Sequence, residues 1–261
     1  MLQSKENESN TPYGTDFYDS QRDGSRRSAE IILSRVFDLI RPTSVIDVGC
    51  GEGYWLDVAG KLGVPQICGL DGDYVSRQRL VIPEQCFVAT DLSKPFNLDK
   101  RFDFAMCMEV AEHLQPSVAE SFVLSLTKLA PAILFSAAIP GQGGTDHHNE
   151  QWPSYWSNLF CSHDFVCVDF LRPKIWQDTR IEVWYRQNSL LFLSKDHFAL
   201  STSLNEFLVP EPADAVHADI FEHQLSLLKQ RLHRAENLGI RDAGSQLKGA
   251  IKRWIAKKTR K

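Results

Sequence analysis

Two stretches of this chain concentrate residues that do chemistry. The first, SVIDVGCGEGYW (44–55), runs an apolar, β-prone segment into Gly49, Gly51 and Gly53 and then into a helix-prone one. Glycines at alternate positions let the backbone turn sharply and let a ligand lie against it where a Cβ would intrude. Amides that open the following helix can then bind polar ligand groups. The second, GTDHHNEQWPSYW (144–156), sets Asp146, His147, His148, Asn149, Glu150 and Gln151 beside Trp152, Tyr155 and Trp156. By composition alone it suits a metal site, an acid–base centre, a substrate pocket, or a polar loop closed by aromatic packing.

The residues around the glycine turn narrow its meaning. Asp71 closes the next strand-like run, QICGLDG (66–72), about twenty residues on, where a ribose-binding carboxylate belongs in nucleotide-binding α/β folds. Asp91 closes a third run, CFVATDL (86–92). Glycine turn and acids therefore fall at one carboxyl edge of a sheet, the edge where open α/β folds bind ligands.

The elements that must position these groups alternate along the chain. A helix is expected from Ser25 to Ile40, with Ile31, Ile32, Val36, Phe37 and Ile40 at helical spacing and Pro42 to stop it. Further strands are expected at 102–109, 132–140, 164–171 and 189–194, and helices at 54–62, 117–130 and after Pro153. The pattern implies an α/β fold of Rossmann-like type, a seven-stranded mostly parallel sheet with helices on both faces. Residues 1–24 form an N-terminal arm, polar and disordered over 1–12 and packed through Tyr13, Phe17 and Tyr18 beyond it. The main domain covers 25–195. A linker at 200–216 leads to a helical extension over 218–238, with Ile220, Leu225, Leu228 and Leu232 along one side, suited to a dimer contact. The last fourteen residues hold seven Lys or Arg and no acid, and so suit an anionic surface.

Bulk properties exclude several classes. The 261 residues are 43% hydrophobic and 24% charged, with a net charge of −4, so the chain as a whole offers no electrostatic case for nucleic acid. Cys50, Cys68, Cys86, Cys107, Cys161 and Cys167 form no CxxC pair and read as small buried hydrophobes rather than a disulfide framework. No apolar run is long enough to span a bilayer, and a cytoplasmic location is expected.

In their order, VIDVGCGEG, GLDGD, ATDL and FDFAMCMEVAEHL (102–114) resemble the class I S-adenosylmethionine-dependent methyltransferases, a resemblance that covers roughly residues 25–195. It implies an enzyme with S-adenosyl-L-methionine as cofactor. Asp47, Gly49, Gly51 and Gly53 would surround the methionine part, Asp71 would take the ribose hydroxyls with Gly72 and Asp73 beside it, Asp91 and Leu92 would bracket the adenine, and Glu109 and Val110 would approach the sulfonium. Trp55 departs from the pattern, with cofactor and core both open to it. The loop after the fifth strand would face the acceptor, making His113, His147 and His148 candidates for a base. Asn149, Glu150, Gln151, Tyr155 and Trp156 would line the acceptor side, the aromatics either packing the loop down or stacking on a ring. No metal is expected from 146–150, because consecutive residues rarely converge on one ion and magnesium prefers carboxylates and water. Aromatic, amide and arginine residues in RPKIWQDTRIEVWYRQNS (172–189) suit a polyhydroxylated ligand or an ordinary lid. The expected reaction is O-methylation of a small molecule or glycan. N- or C-methylation, and a non-catalytic cofactor-binding module with a helical partner-binding tail, are the alternatives.

Overall fold

A computed structural model describes residues 15–200 and 202–237, together with 248, 249 and 252. The chain divides into two compact units, with the boundary between Ala215 and Val216.

The first unit is built on one sheet. Its strands are β1 (Ser44–Val48), β2 (Gln66–Asp71), β3 (Phe87–Ala89), β4 (Phe104–Met108), β5 (Ala132–Ser136), β6 (Phe165–Val168), β7 (Leu190–Ser194) and β8 (Leu208–Val209). They lie in the order β3-β2-β1-β4-β5-β7-β6-β8. Strands β1 to β5 pair in parallel, while β7 runs antiparallel to both β5 and β6. Every residue of β1, β4 and β5 is buried, as expected of central strands covered on both faces. Alternate side chains go to opposite layers. Val45, Met106 and Leu134 pack with α1 (Thr15–Ile40) and α2 (Tyr54–Lys61). Ile46, Cys107 and Phe135 pack with α3 (Ala119–Leu129) and α4 (Pro153–Ser162). The strand order reverses between β1 and β4, which leaves a crevice at their carboxyl ends.

Three expectations need correction. The sheet has eight strands, because part of the expected linker joins it: Leu208 and Val209 pair with Val168 and Cys167. Two residues stopped by Pro210 carry no alternation to read, and proline limits such a piece to a sheet edge. The first helix starts at Thr15 rather than Ser25. Gly24, a poor helix former, hides the continuity; there a Cβ would lie 2.2 Å from Glu182 Oε1. Finally, the segment after β6 forms two short helices, α5 (Arg172–Ile175) and α6 (Val183–Asn188), and a further one, α7 (Lys195–Ala199), follows β7. The expected disorder of 1–12, and the side chains of Tyr13, Phe17 and Tyr18, lie outside the described residues.

The second unit contains α8 (Ala218–Asn237), on which Leu225, Leu228 and Leu232 are exposed. Most of the basic tail lies outside the described residues. Among the described residues no helix is long and apolar enough to cross a membrane.

Candidate active site

The glycine turn folds as it does because Leu70 O accepts from both Gly49 N and Cys50 N, at 2.7 and 3.1 Å, drawing the end of β1 over β2. Gly49 has φ +82°, and a Cβ on it would meet Val110 Cγ2 at 2.3 Å. That position admits only glycine on both counts. Gly51 (φ +53°) has open space where its Cβ would be, and its amide donates to Asp71 Oδ2 at 2.8 Å. Gly53 precedes α2 in a left-handed conformation and packs its bare Cα toward Ile82.

Beside the turn lies a cavity of about 750 Å³ at the carboxyl ends of β1, β2, β3 and β4. Gly49, Asp71, Gly72, Asp73, Asp91, Leu92, Glu109 and Val110 line it, together with Tyr74, Ala89, Thr90, Ser93, His113 and Leu114. Asp47, Gly51 and Gly53, expected at the methionine part, are not among its lining residues. Asp47 is 3% exposed, and burial followed by the charge of Asp71 pushes its carboxyl up to about 8. Asp71 is also buried; its Oδ1 accepts from Gly72 N and from the Tyr74 hydroxyl. Tyr74 itself is exposed at the cavity mouth. Asp91 is exposed and held near 2 by Lys94 and Ser93. Trp55 belongs to the core, donating from its indole to Ser25 Oγ at 3.0 Å and meeting Tyr185 edge-on.

Glu109, just past the end of β4, also lines the cavity. Its φ of +56° is a left-handed conformation that a non-glycine residue adopts only when its surroundings hold it. Gln142 Nε2 and Asn188 Nδ2 donate to its two carboxylate oxygens at 3.0 and 3.1 Å. The amides interlock, with Asn188 donating to Gln142 Oε1 and Gln187 to Asn188 Oδ1, each at 2.9 Å. Glu112 is buried to 1% exposure. Burial, then Glu109, pushes Glu112 up to about 9, and burial raises Glu109 too.

The histidine loop docks here through its backbone. His148 N and Asn149 N both donate to Glu112 O, at 2.8 and 2.9 Å. Glu150 accepts from Gly141 N, Gly143 N and His147 Nδ1, which folds the loop on itself. His113 and His147 meet edge to face at 4.9 Å, and burial followed by His147 lowers the pKa of His113. The ring of His148 is exposed. Of the expected acceptor contacts, Asn149 is buried and takes Gln151 Nε2 on its Oδ1. Trp156 is a core residue against Phe135 rather than a cavity residue, and Tyr155 packs on it edge-on.

Sequence reasoning passed over Tyr74, Glu112, Gln142 and Asn188. For Asn188 a signal existed: RQNS immediately precedes the apolar run of β7, and polar residues abutting a core strand are buried and partnered.

A family model described as a methyltransferase domain matches residues 18–164. The chain belongs to that family. As a methyltransferase it is an enzyme, and the class I resemblance read from its motifs holds, with S-adenosyl-L-methionine as cofactor. The lining fits that group: a turn that only glycine can form, a buried carboxylate and a cavity of ligand size. No curated protein matches the chain. Among solved structures it is similar to magnesium protoporphyrin IX methyltransferase from Synechocystis PCC 6803, solved with bound SAH (17% identity, 71% of this chain and 90% of that one, TM-score 0.51). It is also similar to a putative O-methyltransferase from Nostoc punctiforme (11%, 68% and 59%, TM-score 0.51). A third is human N-acetylserotonin methyltransferase in complex with SAM (16%, 69% and 54%, TM-score 0.50). The methyltransferase thus spans little more than half the length of the last two, and the likeness to all three is one of fold.

Proposed function

We propose that this methyltransferase O-methylates a hydroxyl of a small molecule or glycan. The observation that carries the reading is that Glu109 and His113 line the same cavity as Gly49 and Asp71, with Glu112 and His147 grouped beside His113. S-adenosylmethionine supplies an electrophilic methyl on a sulfonium. Asp71 would hold the ribose in place of the Tyr74 hydroxyl, Gly72 and Asp73 would flank it, and Asp91 and Leu92 would border the adenine. The backbone of Gly49, with Gly51, Gly53 and Asp47 shaping the turn, would pass the methionine part. When bound, the cofactor would supply the methyl electrophile and its sulfur would keep the bonding pair, while His113, which lines the cavity, would take the proton of the acceptor hydroxyl. Alignment of the two reactants accounts for much of the rate, and Glu109, fixed by two amides, is the side chain best placed to set it. Asn149, Glu150 and Gln151 shape the acceptor loop, and His148 stands at its outer surface.

The test is to incubate the full chain with methyl-labelled S-adenosylmethionine and a metabolite extract, then fractionate. Label in an alkali-stable ether of a small molecule or glycan is expected. Label on nitrogen or carbon, or only in the protein fraction, overturns the reading.

A further inference from the structure

We propose that Glu112, His113 and His147 form a binding site for a divalent first-row transition-metal ion at the wall of the cofactor cavity. Each offers a ligand atom, and these atoms lie within 4.8 Å of one another. Atoms bound to one ion at about 2.1 Å stand roughly 3–3.5 Å apart, so a small side-chain adjustment closes the set. The three come from two pieces of chain, the turn at 111–113 and the loop at 144–150. The hydrogen bonds from His148 N and Asn149 N to Glu112 O clamp these pieces together. The site is therefore not the run of consecutive loop residues, which cannot converge.

An independent observation points to a ligand. Among the described residues no N–H or hydroxyl donor reaches the buried Glu112 Oε2, and the carboxyl instead meets that of Glu109, with the residue 1% exposed. A buried carboxylate oxygen left so is costly unless a cation or proton satisfies it. Each histidine also has the support that ligating imidazoles have. His147 Nδ1 lies 3.0 Å from Glu150 Oε1, and His113 Nδ1 lies 3.3 Å from Asp146 O. Such outer contacts fix the tautomer and leave the other nitrogen for an ion. Asp146 is one of four non-glycine residues with a left-handed φ among the described residues, at +57°. Two imidazoles and one carboxylate favour zinc, manganese, iron or cobalt over magnesium or calcium.

The place gives the ion a use. His113 also lines the cofactor cavity and is exposed, so coordination positions remain open toward the acceptor. An acceptor oxygen bound there would lose its proton more readily, with His113 a ligand rather than a base. That use rests on the O-methylation reading; ion binding does not.

The experiment uses the full chain, stripped with chelator and titrated with Co²⁺, Zn²⁺ and Mg²⁺. Cobalt absorption and metal content after gel filtration are the readouts, and S-adenosylmethionine affinity is measured on the same samples. One Co²⁺ per chain, displaced by Zn²⁺ and not by Mg²⁺, is expected. Glu112→Gln and His147→Ala should each weaken it by more than about 100-fold, and Glu150→Gln by about 10–100-fold, as outer contacts do. His147→Gln replaces His147→Ala if the latter unfolds. Wild type that binds S-adenosylmethionine but no cobalt, or folded Glu112→Gln and His147 variants that bind cobalt as wild type does, would overturn the site. Cobalt binding without S-adenosylmethionine binding would sink the methyl-transfer reading and leave the site standing.

Discussion

On the side of the cavity proposed to take the donor, the groups are mostly backbone and come from short, contiguous motifs. Gly49, Asp71 and Asp91 close successive strands β1, β2 and β3, so the parallel register alone brings them to one edge. The side proposed for the acceptor is made of side chains from dispersed segments. Glu109 after β4, Gln142 before the histidine loop and Asn188 before β7 meet only because β7 inserts next to β5. Glycines fix where a cofactor lies by leaving atoms out. Amides and carboxylates fix a reacting group by filling every hydrogen bond around it.

The comparison breaks most visibly at Gly49. Gly49→Ala combines a left-handed φ with a Cβ 2.3 Å from Val110, and calorimetry should show S-adenosylmethionine affinity lower by more than about 100-fold. Gly51→Ala meets open space and carries only the φ penalty of about 1 kcal/mol, so a loss below about tenfold is expected. Equal losses at both would show that crowding against Val110 is irrelevant.

On the acceptor side the expected split is between turnover and binding. Asn188→Ala removes a donor from a half-buried carboxylate, worth about 1.5–3 kcal/mol, so kcat should fall roughly 10–100-fold while cofactor affinity holds. If affinity falls as far as kcat, Asn188 belongs to the donor side.

Asp47 separates fold from site. Its folded pKa, about 8, stands above its unfolded value of 3.8, so between pH 4 and 8 the folded chain keeps a proton that the unfolded chain has lost. Stability should therefore fall as pH rises through that window. Asp47→Asn should flatten the fall in melting temperature of the ligand-free chain from pH 5 to 8; an unchanged slope would remove Asp47 as its source.

The smallest effect is expected at Tyr74, whose hydroxyl occupies the Asp71 oxygen that a ribose would take. Tyr74→Phe removes the competitor and should tighten S-adenosylmethionine by about threefold, within the range of one hydrogen bond. A weakening would mean that the phenol contacts the cofactor instead.

How much was legible in advance follows the same division. The sheet class, and the glycine turn and strand-end acids that share one edge of the sheet, show in local pattern, because each motif is contiguous in sequence. The clustering of Gln142 and Asn188 on Glu109 was not readable, since it depends on where β7 sits. Of the two roles open to Trp156 in sequence, packing and ring stacking, the helix that Pro153 opens selects packing by turning it onto Phe135. Leu208–Val209 is too short for any periodicity, so the eighth strand shows only through its pairing with β6.

The most direct test of the central claim is a crystal structure of the full chain with S-adenosylhomocysteine. The account predicts ligand in the crevice between β1, β2 and β4, its ribose hydroxyls on Asp71 with Tyr74 displaced, its adenine between Asp91 and Leu92, and its sulfur toward Glu109. Ligand bound elsewhere, or a crevice still closed by the Tyr74–Asp71 contact with S-adenosylhomocysteine in excess, would contradict it.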